Sequence, residues 1–316
     1  MVRIKSILFL SIILLLSANC SKDKQSDEAG NKMQDFVISI SNYAKAIDPG
    51  FIVIPQNGIE LAFNNTEPND GLNMGYLNAV DGFGVEELFY NGTYTIDNYR
   101  LSMLQQIKTT EKVLVSEFVA HNIDIQEAYT RNYTEDFICF VRAEDNYNYY
   151  KIPDNIFHSN ATNIASLSDV QNYLYLISND NFESKNGMIN AISEKNFDLV
   201  LIDLFYDGDE FTREEVNLLK TKPNGSQRLV IAYMSLGSAE NYRYYWQTDW
   251  RLNHPSWIKK KYEGYDDEYW VEFWEKEWQD IIYGSDSSYL NKIINAGFDG
   301  VYLDNVEAYY FLYHND

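Results

Sequence analysis

Short apolar runs rich in Val, Ile, Leu and Tyr recur along the chain, each closed by polar turn residues: FIVIPQNG (51–58), GFGVEELFY (82–90), KVLVSEFV (112–119), FICFVRAE (137–144), YLYLIS (173–178), FDLVLIDLFYDG (197–208), RLVIAYMSLG (228–237), EYWVEFW (268–274) and GFDGVYLDN (297–305). Continuous apolar runs of this length read as strands buried on both faces. Between them lie stretches with helical spacing of apolar positions, at 33–47, 96–109, 123–133, 185–196, 212–221, 275–284 and 287–297. Strand and helix in alternation predict a parallel sheet with helical crossovers, and eight such units make a (β/α)8 barrel. One of the nine runs is then surplus. FICFVRAE is the expected added strand, because no good helix separates it from YLYLIS. A doubly wound open sheet is the alternative, weakened by the lack of a glycine-rich phosphate loop.

The amino-terminal end of the chain reads differently from the rest. Arg3 and Lys5 precede an apolar run, Ile7 to Leu16, and then small residues lead to Cys20. This is the layout of a secretory signal, and the run is shorter than the roughly 18 to 20 residues that span a bilayer. The sequence SANC resembles a bacterial lipoprotein processing site, with Asn19 a departure from the usual small residue. The expected organisation is a signal over 1–19, lipidation at Cys20, a flexible tether over 20–32, and a single barrel over 33–316 exported to the cell envelope. A plain secreted protein is the alternative. Once Cys20 is lipidated only Cys139 remains, so no disulfide forms within the domain.

Composition narrows the partners. The formal charge is −22, and removing residues 1–19 takes away Arg3 and Lys5 and no acid, leaving −24. That field disfavours nucleic acid and anionic polysaccharide and suits a neutral or cationic ligand. Aromatics form 16% of the chain, with 26 Tyr and 6 Trp, enough to supply stacking surfaces for ring-shaped ligands as well as a core.

In a barrel of this kind the chemistry sits where strands end. The residues there are Gln56 and Asn57 after IVIP, Glu86 and Glu87 after GFGV, Glu117 after VLVS, Asp203 in LVLIDL, Tyr233 and Ser235 after LVIA, and Asp304 and Asn305 after GVYL. Acids crowded at several strand ends raise one another's pKa, which keeps a proton donor available near neutral pH. Paired carboxyls are the minimal equipment for glycoside hydrolysis, one acting as acid and one as nucleophile or base. The four histidines show no metal-ligand spacing, and no cofactor motif is present. Magnesium held by carboxylates stays open as the alternative. Glu87, next to Glu86, is expected to face the helix side as a salt-bridge partner. Glu240 and Arg243 are spaced as an ion pair. Trp274 and Trp278 form either a core stripe or a sugar-stacking surface.

Six segments together resemble glycoside hydrolase family 114, the endo-α-1,4-polygalactosaminidase-like (β/α)8 barrels: LVLIDLFYDG, LVIAYMSLGSAENYRYYW, WVEFWEKEWQDII, GFDGVYLDNVEAY, FIVIPQNGIEL and GFGVEELFY. Their order differs from the family's, in which the strand resembling YLYLIS comes first and IPQNG and GVEELFY follow GFDGVYLDN. The resemblance therefore implies a circularly permuted TIM barrel, opened after the fifth family strand. The helix at 33–47 would then follow GVYLDN in space and bury Phe36, Val37, Ile40 and Ala44. It further implies that Asp304 is the nucleophile and Glu86 the general acid/base of a retaining mechanism. Their carboxyls would stand about 5 to 5.5 Å apart. Asp203, Tyr233, Ser235, Glu240, Arg243, Gln56, Asn57, Glu117 and Asn305 would line the cleft. The implied substrate is an α-linked amino-sugar polysaccharide, cationic where its amines are free. A surface glycan-binding lipoprotein without catalysis is the alternative.

Overall fold

A computed structural model describes residues 4–143 and 148–314, with side chains from residue 22 onward. Cys20 and residues 144–147 thus fall outside what is described in full, and the lipidation expected at Cys20 rests on sequence alone.

Parallel strands form two sheets. In the larger, β1 (Ile52–Pro55), β13 (Gly300–Asp304), β9 (Leu229–Ser235), β6 (Leu199–Asp203) and β5 (Tyr173–Leu176) lie side by side in that order. In the smaller, β2 (Gly82–Tyr94), β3 (Lys112–Val119) and β4 (Ile138–Arg142) are neighbours. The sheets meet through a parallel bridge between Gln56 and Gly84, where the Asn57 amide donates to the Gly84 carbonyl at 2.8 Å. At the other edge β4 lies against β5. Buried Val, Ile and Leu fill the strands on both faces.

Around the strands run α1 (Ile4–Ile47), α2 (Met74–Leu77), α3 (Asn98–Ile107), α4 (Ile125–Thr134), α5 (Lys185–Ser193), α6 (Arg213–Leu219), α7 (Lys276–Ile282), α8 (Tyr289–Ala296) and α9 (Ala308–Phe311). Side chains cap the starts of several of them. Asp97, Ser184 and Thr212 accept the orphan amides of α3, α5 and α6, and Thr212 with Glu215 completes a capping box. An antiparallel excursion leaves the larger sheet: a hairpin of β7 (Phe205–Tyr206) with β8 (Asp209–Glu210), and a three-stranded sheet of β10 (Ser238–Glu240), β12 (Glu268–Val271) and β11 (Ile258–Lys261).

Two expectations are corrected here. The surplus strand is EYWV, which is β12 in the antiparallel sheet. ICFVR is β4 and pairs in parallel with β3. The chain passes from β4 to β5 without an α-helix between them among the described residues. The second correction concerns the tether: residues 22–32 are part of α1, not a flexible linker. Ser26, Ala29 and Gly30 dock there, with the Ser26 hydroxyl donating to the Tyr309 carbonyl at 3.2 Å and Gly30 facing Thr66 and Tyr309. A polar sequence hides this because only a narrow stripe, continued by Met33, Phe36, Val37, Ile40 and Ala44, is buried. Phe36 packs against Phe273 and Tyr283, and α1 lies against α9, the short helix that follows β13. The apolar face of 33–47 is thus buried as expected.

Candidate active site

Tyr302 and Asp304 share one face of β13, because alternate residues of a strand point the same way. Register places Tyr302 beside Tyr233 and Asp304 beside Ser235. The Tyr233 hydroxyl donates to Oδ2 of Asp304 at 2.6 Å, and the Asn305 amide donates to Oδ1 at 2.8 Å. Burial, then the nearby charge of Glu86, pushes the Asp304 carboxyl up to about 7 against the opposing pull of these two donors.

Glu86 stands at a β-bulge, where the pairing of β2 with β3 slips between Glu86 and Asn91 and Glu87 takes a φ of 56°. The bulge is held from both sides. Arg100 of α3 donates to the Glu86 and Glu87 carbonyls, each at 2.7 Å, while Glu117 accepts from the Phe89 and Tyr90 amides. The Glu86 carboxylate accepts from the Tyr149 hydroxyl on Oε1 and from Asn57 Nδ2 at 3.4 Å on Oε2. Asn57, itself at a φ of 57°, returns its Oδ1 to the Glu86 amide. Each carboxyl therefore carries a phenol donor and a neighbouring amide-type donor.

Tyr rings pack beside the two carboxyls. Tyr149 stacks on Tyr175 with centroids 3.8 Å apart, and Tyr175 meets Tyr302 edge-on at 5.5 Å. The Tyr175 hydroxyl donates to Gln56 Oε1 at 2.9 Å. Tyr302 lies on Gly84 so closely that a Cβ there would stand 1.9 Å from its hydroxyl oxygen, which only glycine tolerates. The Tyr302 hydroxyl is buried and has no hydrogen-bond partner.

Beside Asp304 a second acidic group is built by the antiparallel excursion. Arg243 clamps both Glu240 (Nε to Oε2, 2.7 Å) and Asp203 (Nη1 to Oδ1, 2.9 Å), and all three are largely buried. Burial alone would depress the guanidinium, but the two carboxylates reverse this and hold it well above its ordinary value. Tyr242, an exposed aromatic, donates its hydroxyl to Glu240. Glu268, at the start of β12, accepts from Ser238 at 3.0 Å. Burial, then Glu240, raises its carboxyl to about 8, with Asp304 adding to the effect. Tyr262 closes this side, stacked on Trp270 at 4.2 Å. Its phenol is raised by burial and by the charges of Asp304 and Glu268.

Of the residues expected in the cleft, Asp304, Glu86, Asn57, Gln56 and Tyr233 come together, and Asp203, Glu240 and Arg243 form the adjoining clamp. Ser235 and Asn305 are spent on structure: Asn305 Nδ2 donates to Ser235 and Ser238 at 3.0 Å each, fixing the turn in which Gly237 passes the Asn305 carbonyl. Glu117 is a correction. It points away from the cleft to the α4 side, fully buried, where it binds the bulge amides and Asn132, and Ser116 is the inward neighbour. Glu87 does form an ion pair, but with Arg142 of β4 at 2.8 Å rather than with a helix residue, because its positive φ breaks strand alternation. Trp278 is core, donating to the Leu236 carbonyl, and Trp274 packs under Lys32. Sequence reading missed Tyr149, Tyr175, Tyr302, Tyr262 and Glu268. Tyr302 carried a signal, lying two residues before Asp304 on one strand. Glu268 carried none, since it opens a strand instead of ending one.

Residues 160–316 match the model of the glycoside-hydrolase family GH114. The carboxy-terminal half of the chain belongs to that family. The matched half contains Asp304, Tyr233, Asp203, Glu240, Arg243 and Glu268, whereas Glu86 and Asn57 lie outside it. An uncharacterized protein of Methanocaldococcus jannaschii is 37% identical over 153 residues, 48% of this chain and 40% of its own length. Uncharacterized proteins of Thermotoga maritima and Deinococcus radiodurans are 32% and 35% identical, over 37% and 38% of this chain and 35% and 37% of theirs. The match thus spans well under half the length of each of these relatives.

Proposed function

We propose that the protein is a lipid-anchored retaining glycoside hydrolase that cleaves an α-linked amino-sugar polysaccharide of the polygalactosamine kind, with Asp304 as nucleophile and Glu86 as acid/base. The observation that carries this reading is the electrostatic coupling of these two carboxyls, which come from opposite ends of the chain and each hold a phenol donor.

In the first step Asp304 attacks the anomeric carbon and the glycosidic bond breaks, while Glu86 gives its proton to the departing oxygen. In the second, Glu86 takes a proton from water, whose oxygen attacks the same carbon and releases Asp304. Asp304 holds a proton up to about pH 7 in the free protein. A substrate ammonium entering beside Asp304, Glu240 and Glu268 favours the Asp304 anion that attacks. Arg243 is already engaged by Asp203 and Glu240, so this side of the pocket keeps an excess of carboxyls suited to a cation.

We also read the fold as a circularly permuted (β/α)8 barrel. Supporting this are the two parallel sheets joined at Gln56 and Gly84, the contact of β4 with β5, the packing of α1 on α9, and a family match confined to 160–316 while IPQNG and GVEELFY precede it.

The test is release of reducing ends from partially deacetylated α-1,4-linked galactosamine polymer by the wild type and by Glu86→Gln. Release by the wild type alone is expected. Binding without release by either would move the assignment to a glycan-binding lipoprotein without catalysis.

A further inference from the structure

We infer that in the anchored protein the mouth of the pocket lies next to the membrane surface, so that the glycan it receives is one held at that surface. This rests on the proposed lipidation of Cys20.

Helix α1 runs against the direction of the parallel strands. Its turns around Asp23 to Gly30 sit at the strands' carboxyl ends, the end that carries Asp304: Ser26 donates to the carbonyl of Tyr309, five residues beyond Asp304, Gly30 faces Thr66 and Tyr309, and Asp23 lies 3.8 Å from His314. Its last turns sit at the opposite end, where Ser41 and Lys45 donate to the Ala79 carbonyl and Lys45 pairs with Asp81, just ahead of β2. Asp48 then accepts the Phe51 amide at the foot of β1.

Six residue steps lead from Cys20 to Ser26. They reach at most about 20 Å when fully extended and roughly 9 Å as helix. A lipid on Cys20 therefore brings the bilayer close to the Tyr309 side of the mouth. It cannot reach the far end, because α1 from Ser26 onward is docked and does not swing.

The surface next to the exit point suits this placement. Tyr310 is 44% exposed, and Phe311, Leu312 and Tyr313 are half-buried around it. Rings with an apolar body and a polar tip favour the headgroup layer. Lys22 and Lys24 are exposed on the same stretch, but Asp23, Asp27 and Glu28 offset them, so the rings and the lipid rather than charge would hold this surface to the bilayer. An amphiphilic rim of this kind supplies the second attachment that steadies a lipid anchor.

Orientation can be read without relying on catalysis. The full-length lipidated protein is placed in vesicles of phosphatidylethanolamine and phosphatidylglycerol that contain nitroxide-headgroup lipid. A fluorophore is attached through Tyr310→Cys or, at the far end, through Thr109→Cys; Cys139 is buried and Cys20 is blocked by lipid. Quenching several-fold stronger at position 310 than at 109 is expected. A flexible insert of roughly 30 residues after Lys22, spanning about 30 Å, should reduce the quenching at 310 to the level at 109. Equal quenching at the two positions without the insert, stronger quenching at 109, or an unlipidated Cys20 by mass would each overturn the inference. Loss of the hydrolase reading appears separately, as no reducing-end release by the soluble Cys20→Ser form.

Discussion

The Tyr233 hydroxyl reaches Oδ2 of Asp304 at 2.6 Å although the sheet register pairs Tyr233 with Tyr302 and Asp304 with Ser235. The phenol leans along the strand direction to bond the carboxyl of the next inward layer, so the position of Asp304 is set by a neighbouring strand as well as by its own. This bond and the charge of Glu86 act on Asp304 in opposite senses, and the two can be separated.

Glu86→Gln removes the charge that helps raise Asp304, so the Asp304 pKa should fall below its present value of about 7. Tyr233→Phe removes a donor to the anion and should raise it. Carbon-13 NMR titration of labelled aspartate carboxyls reads both shifts. In the wild type, kcat/KM should rise as pH rises through about 7, where Asp304 becomes the anion that attacks.

The Tyr302 hydroxyl is buried without a partner, so Tyr302→Phe should be no less stable than the wild type and should gain up to about 1 kcal/mol in urea unfolding. A loss of more than about 1 kcal/mol would show that the hydroxyl is hydrogen-bonded after all.

Stability should fall as the solution becomes alkaline. Asp304, Glu268, Glu307 and Glu111 have carboxyls raised to about 7, 8, 8 and 7 from ordinary values of 3.8, 4.5, 4.5 and 4.5. The folded state therefore binds more protons than the unfolded one between about pH 4 and pH 8, and folding free energy is lost across that window. Glu268→Gln removes one of these penalties. Its melting temperature should exceed the wild type's at pH 8.5 and match it at pH 4, as calorimetry can show.

Glu117→Ala strips the Phe89 and Tyr90 amides and the Asn132 amide of their acceptor inside the protein. A destabilisation of about 2 to 4 kcal/mol is expected, together with a fall in kcat, since the bulge that aims Glu86 loosens. KM should change little, because Glu117 does not face the pocket.

Much of this architecture was readable from residue patterns because each parallel strand is a continuous apolar run closed by a polar residue. Asp304, Asp203 and Glu86 stand out on that rule alone. What escaped has physical causes. Strand alternation would place Glu117 and Ser116 on opposite faces but does not say which is inward, and here the acid took the helix side to hold a bulge that no pattern announces. Tyr149 sits in a polar connection without periodicity and reaches Glu86 only through the folded path of that segment. The excursion that brings Glu268 and Tyr262 to Asp304 is antiparallel, so its acid lies where a strand begins. Residues 22–32 are polar enough to pass for a tether, yet three small side-chain positions suffice to dock them.

The most direct test of the account is to intercept the covalent intermediate. The protein is incubated with a 5-fluoro amino-sugar α-glycosyl fluoride, which slows breakdown of the glycosyl-enzyme, and the digested protein is mapped by mass spectrometry. The account predicts one added sugar on the peptide that contains Asp304, absent in Asp304→Asn. A label on Glu86, or turnover of the α-linked polymer to products of inverted anomeric configuration with no label, would contradict it.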